Sequence, residues 1–139
     1  MATTVSDVMT RNPETIELSE PVAEAARRMR DADSGDVIVL DNGRVVGIIT
    51  DRDIAVRVVA ENKDSSTTVG EACTGTDLQT VGPDTTLDQA VQLMRSKAVR
   101  RLPVVENDQA VGIISLGDIA IEQDEDSALA DISAATPDE

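Results

Sequence analysis

The sequence predicts an α/β (α+β) protein made of two pseudo-symmetric β-α-β-β-α units packed through their sheets into one module. Three observations lead there. The segment VVGIITDRDIA at 45–55 returns as AVGIISLGDIA at 110–120, an offset of sixty-five residues, and self-similarity at a fixed period marks a duplicated structural unit. Upstream of each copy, apolar residues follow a helical period, at Val22, Ala25, Ala26 and Met29 and again at Leu87, Ala90, Val91 and Met94. Two short runs rich in β-branched residues, Val37–Leu40 and Val45–Ile49, flank Asp41-Asn42-Gly43-Arg44, whose Asn-Gly step is a strong hairpin signal.

Taken in order, each unit opens with a short helical turn, Ser6–Met9 or Gly70–Cys73, and a short extended segment, Thr15–Glu17 or Gln79–Val81. The first long helix follows, with N-terminal caps expected at Ser19 and Asp84 because their side chains can accept from free backbone N–H groups. The hairpin comes next; the second copy replaces Asn-Gly with Asn107-Asp108. A last helix starts after Thr50 or Ser115, whose hydroxyls suit the cap position. Near the start of the copies the offset shortens by one, so that Val5 matches Val69, Met9 matches Cys73 and Thr10 matches Thr74. The division is repeat one at 1–61, a polar linker at 62–68, repeat two at 69–121, and a tail at 122–139. That tail holds seven acidic residues and no basic one, the composition of a disordered segment.

Composition excludes several kinds of function. The 139 residues carry 12 basic and 27 acidic side chains, a net charge of −15, which repels phosphate backbones and predicts no nucleic-acid partner. Histidine and all three aromatic residues are absent. That rules out His-dependent triads, His-bearing zinc sites and aromatic stacking platforms. Cys73 is the single cysteine, too few for a disulfide or a thiolate cluster, and it reads as a small core hydrophobe. No run approaches membrane-spanning length and no leader pattern opens the chain, so the expectation is a cytoplasmic protein without a membrane partner. No nucleophile with its base, no phosphate-binding glycine loop and no dedicated metal cluster is visible, and the chain reads as a non-enzyme.

A tandem pair of roughly sixty-residue β-α-β-β-α units, each ending Gly-Ile-Ile-Thr/Ser-x-x-Asp, resembles a pair of cystathionine-β-synthase (CBS) domains, also called a Bateman module. The second copy adds Val99-Arg100-Arg101-Leu102-Pro103-Val104-Val105, similar to the family's signature before its second strand. The resemblance covers about residues 5–121. It implies a stand-alone regulatory or sensor module, a homodimer, that binds an adenosyl ligand between the repeats and modulates an effector protein. AMP, ADP, ATP, S-adenosylmethionine and NAD share the adenosyl part and stay open as ligands, with Mg as an accompanying ion and no covalent cofactor.

In the site this resemblance implies, Thr50 and Ser115 place hydroxyls beside helix starts, where phosphate oxygens are stabilised. Asp53 and Asp118, three residues on, can accept from ribose hydroxyls. Adenine is expected between Ile16 and Val37 in one site and between Val81 and Val99 in the other. Arg101, and with it Arg100, is expected on ligand phosphates in the second site, because guanidinium suits phosphate oxygens. Asp36, the counterpart of Arg101, weighs against phosphate in the first site. Two rival readings need no ligand: the Thr/Ser and Asp pairs can simply cap helices, and the repeats can form a homodimeric protein-interaction scaffold with vestigial nucleotide sites.

Overall fold

The computed structural model describes residues 3–73 and 78–123. Its elements run α1 (Val5–Val8), β1 (Thr10–Arg11), β2 (Thr15–Glu17), α2 (Val22–Ala32), β3 (Asp36–Asp41), β4 (Arg44–Thr50) and α3 (Asp51–Ile54), which continues as a π-helical turn over Ala55–Val59. The second half follows with α4 (Val69–Ala72), α5 (Leu87–Lys97), β5 (Arg101–Glu106), β6 (Gln109–Ser115) and helical residues 116–123, here α6. Beyond residue 123 the acidic tail lies outside the described residues.

Each half carries the hairpin the sequence predicts. Asn42 and Gly43 both adopt positive φ, 52° and 84°, and Asn107 and Asp108 do the same at 55° and 66°. This is the primed turn whose twist matches that of the strands, so Asn-Asp achieves without glycine what Asn-Gly does in the first copy. Both hairpins bulge at the same place, between Val39 and Leu40 and between Val104 and Val105, opposite the stretch that begins at Gly47 and Gly112. β2 pairs in parallel with β3, Ile16 opposite Val39. Its counterpart shrinks to a single parallel bridge, Val81 to Val104.

The helix starts differ from expectation. The cap residues are Pro21 and Thr86, not Ser19 and Asp84. Pro21 has its fixed φ at −74° and lacks a side-chain cap, whereas Thr86 forms a reciprocal box with Gln89. Both helices end on a left-handed residue, Asp33 and Ala98.

The opening segment of each repeat packs on the other half. Val5 N–H donates to Thr85 O at 2.8 Å and Leu87 N–H to Thr3 O at 3.1 Å. In mirror fashion Val69 N–H donates to Glu20 O and Val22 N–H to Thr67 O, both at 2.8 Å. Val5 and Met9 therefore sit in the core of Leu87, Ala90, Met94, Leu102, Val104, Ile114 and Ile119. Val69 and Ala72 close the core of Ile16, Val22, Ala25, Met29, Val37, Val39, Ile49 and Val58. Both cores are wholly aliphatic, and among the described residues no polar or charged side chain is buried.

Because side chains alternate along a strand, Ile38 points away from Val37 and Val39, and Pro103 is its equivalent. Both are fully buried without belonging to either core. The two sheets approach each other along β4 and β6. There Val45 N–H donates to Asp108 O at 3.1 Å.

The exchange passes over Gly112. β1 pairs with β6, Arg11 opposite Gly112, and completes a β1-β6-β5 sheet. A Cβ at Gly112 would run into Met9 Sδ and stand 2.9 Å from Thr10 O. Gly112→Ala is expected to push this segment off β6 and to cost about 1–3 kcal/mol, read by urea unfolding followed by far-UV circular dichroism. An unchanged midpoint would mean that the opening segment is not held there.

Candidate functional site

Two clefts lie where the halves meet, built from equivalent positions. One, of about 490 Å³, is lined by Ile48, Thr50, Arg52, Asp53, Ala98, Val99, Arg100 and Arg101. The other, of about 380 Å³, is lined by Thr10, Ala32, Asp33, Ser34, Asp36, Arg101, Ile113, Ser115 and Asp118. Each joins the strand-to-helix turn of one repeat to the helix-to-strand segment of the other. Shifted by the repeat offset, Ile48, Thr50 and Asp53 become Ile113, Ser115 and Asp118, and Ala98, Val99 and Arg101 become Asp33, Ser34 and Asp36.

Local chemistry sets the geometry of both turns. Thr50 Oγ1 accepts from Asp53 N–H at 3.1 Å, while Thr50 N–H donates to Asp53 Oδ2 at 2.9 Å. Ser115 and Asp118 repeat the arrangement at 3.0 and 3.2 Å. These are reciprocal capping boxes, so the helix-capping reading of the two pairs is correct as far as it goes. The box takes only one oxygen of each carboxylate and only the acceptor side of each hydroxyl. Each hydroxyl proton remains available for an incoming acceptor. Asp53 Oδ1 faces Arg57 Nε at 3.7 Å.

Arg101 and Asp36 occupy the same register position in the two repeats, and they meet. Arg101 Nε lies 2.7 Å from Asp36 Oδ2, with the carboxylate side chain 15 % exposed and the guanidinium 38 %. Burial pushes the Asp36 carboxyl above the usual carboxylate range. Arg101 and a hydrogen bond from Ser34 pull it back down, and Asp118 and Asp51 push it further up. The carboxylate therefore stands among two others with one guanidinium for company.

The structure regroups the residues that the sequence assigned to sites. Arg101 is committed to Asp36 and borders both clefts, rather than standing free for phosphate in one of them. Asp36 lines the Ser115–Asp118 cleft and not the Thr50–Asp53 cleft. Arg100 lines the Thr50–Asp53 cleft together with Val99. Arg100 also borders an outer hollow beside Ser115 and Leu116, where its carbonyl accepts from Leu116 N–H at 2.8 Å. The adenine clamp expected in the first site pairs Ile16 with Val37. At 1 % and 0 % exposure both belong to the core beneath β3. Val81 is also buried, bridged to Val104. The aliphatic walls open to the clefts are instead Ile48 with Val99, and Ile113 with Ala32. Thr10, Asp33 and Ser34 in one cleft and Arg52 in the other are lining residues that the sequence motifs do not single out. The repeat register held the signal, since a position facing the neighbouring repeat implies that its equivalent does too. Cys73 packs against the first core, and burial raises its thiol pKa, with Asp53 adding to the effect.

Comparison with known proteins places these features. The CBS-domain profile matches residues 5–60 and again 65–125. The chain is 39 % identical over 119 residues to the CBS domain-containing protein YhcV of Bacillus subtilis, covering 86 % of this chain and 84 % of that one. Among solved structures, the CBS domain pair of protein MJ0100 in complex with methylthioadenosine and S-adenosyl-L-methionine superposes with a TM-score of 0.82 at 28 % identity, over 91 % of this chain and 99 % of that one. A protein with CBS domains from Burkholderia ambifaria gives 0.79 at 30 % identity, over 87 % and 93 %.

The Asp36–Arg101 pair makes a testable statement about stability. Because the folded state holds the Asp36 proton more tightly than the unfolded chain, this group's contribution to stability falls as pH rises from the ordinary carboxylate range through the raised folded value. Asp36→Asn, which does not titrate, is expected to flatten that part of the pH profile. Arg101→Ala leaves the carboxylate facing Asp118 and Asp51 and should cost about 1–2 kcal/mol. The double variant should regain most of that loss in denaturant titrations. Simple additivity of the two changes would count against the coupling.

Proposed function

The chain belongs to the CBS-domain family, and from that premise we propose that it is a non-catalytic regulatory module. It binds an adenosyl ligand in the clefts between its halves and passes the occupancy on to a partner protein. The observation that carries this reading is that both clefts bring together a hydroxyl, a carboxylate one helical turn on, and an aliphatic wall drawn from two elements. The hydroxyl can donate to a ligand oxygen, the carboxylate can accept from vicinal ribose hydroxyls, and the aliphatic wall covers a purine face without aromatic stacking. The MJ0100 pair, which holds methylthioadenosine and S-adenosylmethionine, supports the adenosyl class.

The mechanism follows from the seam. Each cleft draws its walls from both repeats, so a bound ligand bridges them and favours whichever arrangement of the halves it fits better. That bias is what a partner would read. Self-association through the last helices is part of the proposal. Val56 and Ile121 are equivalent positions, 48 % and 59 % exposed, and Val59 and Leu116 add apolar surface beside them.

One observation favours the scaffold reading instead. The capping boxes and the Asp36–Arg101 pair already give both turns and the central guanidinium partners within the protein, without a ligand.

Dye-reported thermal shifts with AMP, ADP, ATP, S-adenosylmethionine and NAD, with and without magnesium, separate the two, since the chain has no Trp or Tyr. A ligand at a hundred times its Kd should stabilise by about 2.7 kcal/mol. The shift should vanish in the Asp53→Ala/Asp118→Ala double variant. Silence from every nucleoside would favour the scaffold. Separately, Val56→Asp/Ile121→Asp should convert a dimer to a monomer by light scattering; a wild-type monomer would sink the self-association.

A further inference from the structure

The two clefts are equivalent in position and opposite in charge. Around Thr50 and Asp53 stand Arg52, Arg100 and Arg101. Around Ser115 and Asp118 stand Asp33 and Asp36, with Arg101 at the edge. The difference arises at four matched positions: Arg52 against Gly117, Ala98 against Asp33, Arg100 against Gly35, and Arg101 against Asp36. All four exchanges put the more positive member in the first cleft, and none compensates another.

Assigning Arg101 wholly to Asp36, its partner at 2.7 Å, sharpens the contrast. The first cleft then keeps Arg52 and Arg100 against Asp53, and the second keeps Asp33 and Asp118 with no cation left among its lining residues. Each cleft is about as wide as the roughly 8 Å over which salt screens charge. A bound ligand therefore feels the charge of its own walls before that of the chain as a whole.

Resting on the adenosyl reading above, we infer that the module sorts adenosyl ligands by charge. The Thr50–Asp53 cleft takes a phosphorylated, anionic adenosyl ligand, and the Ser115–Asp118 cleft takes an uncharged or sulfonium-bearing one. In the first, Arg100 and Arg52 meet phosphate oxygens, with the Thr50 hydroxyl as a further donor. In the second, a phosphate would face Asp36, Asp33 and Asp118 at close range, whereas a sulfonium or ammonium group would be attracted to them. Burial is the first cause of the raised Asp36 pKa, and the nearby Asp118 and Asp51 carboxylates raise it further. Two ligands of opposite charge could then occupy one module together, so that it reports on both.

Titration calorimetry with AMP, a dianion, and S-adenosylmethionine, net positive, tests this on the full chain. Arg100→Glu changes a side chain on an exposed position and should weaken AMP at least tenfold while leaving S-adenosylmethionine within twofold. Asp33→Asn/Asp36→Asn should do the reverse. Saturating AMP should not displace S-adenosylmethionine from wild type. Mutual displacement, binding of only one of the two, or loss of both with the same variant overturns the sorting and leaves the adenosyl reading standing. No heat from either ligand overturns both. Far-UV circular dichroism of each variant, matching wild type, ties a loss of binding to charge; if Arg100→Glu proves misfolded, Arg52→Glu carries the same expectation for AMP.

Discussion

The whole arrangement depends on the exchange of opening segments between the halves. Val5 and Val69 are both fully buried, each in the core of the repeat other than its own. A unit of some sixty residues has little apolar surface to bury alone. Here neither core is complete without a few residues from the other repeat, and backbone hydrogen bonds at both crossings fix the placement. This couples the halves and holds the seam at one geometry, and the seam is what creates the clefts. It also explains Gly112, where the crossing strand lies too close for any side chain.

At the seam, two-fold symmetry brings equivalent positions together. In an unmodified duplicate this would place like beside like, and a pair of arginines or a pair of aspartates would repel. Asp36 opposite Arg101 resolves that conflict, and it takes up a guanidinium that borders both clefts. The same pair makes the clefts unequal. Once one member is acidic and the other basic, the cleft on each side inherits a different charge, and further divergence at Asp33, Arg52 and Arg100 adds to it rather than cancels it.

Helix caps and ligand groups share atoms here. Thr50 with Asp53 and Ser115 with Asp118 terminate their helices, and the same geometry leaves one carboxylate oxygen and one hydroxyl proton for another partner. Capping and binding are therefore successive uses of one turn, which is why a motif read from sequence could not be assigned to either alone.

The sequence by itself determined the local structure. The offset between Gly47 and Gly112, the helical stripes through Met29 and Met94, and the turn at Asn42-Gly43 all express interactions between residues close in the chain, and they fixed the duplicated α/β architecture and the Thr/Ser-x-x-Asp turns. Its misreadings also have physical reasons. Ser19 and Asp84 were reasonable caps by type, but hydrogen bonds from the other half's segment set the helix starts at Pro21 and Thr86. Strand alternation, for its part, turns Ile16 and Val37, the residues expected to clamp adenine, into the core. What only the tertiary structure decided is which repeat's turn faces which repeat's segment. That depends on how two covalently linked, nearly identical units pack across a pseudo-two-fold axis, where partners are about sixty-five residues apart and no local pattern encodes the choice between pairing within a repeat and pairing across it.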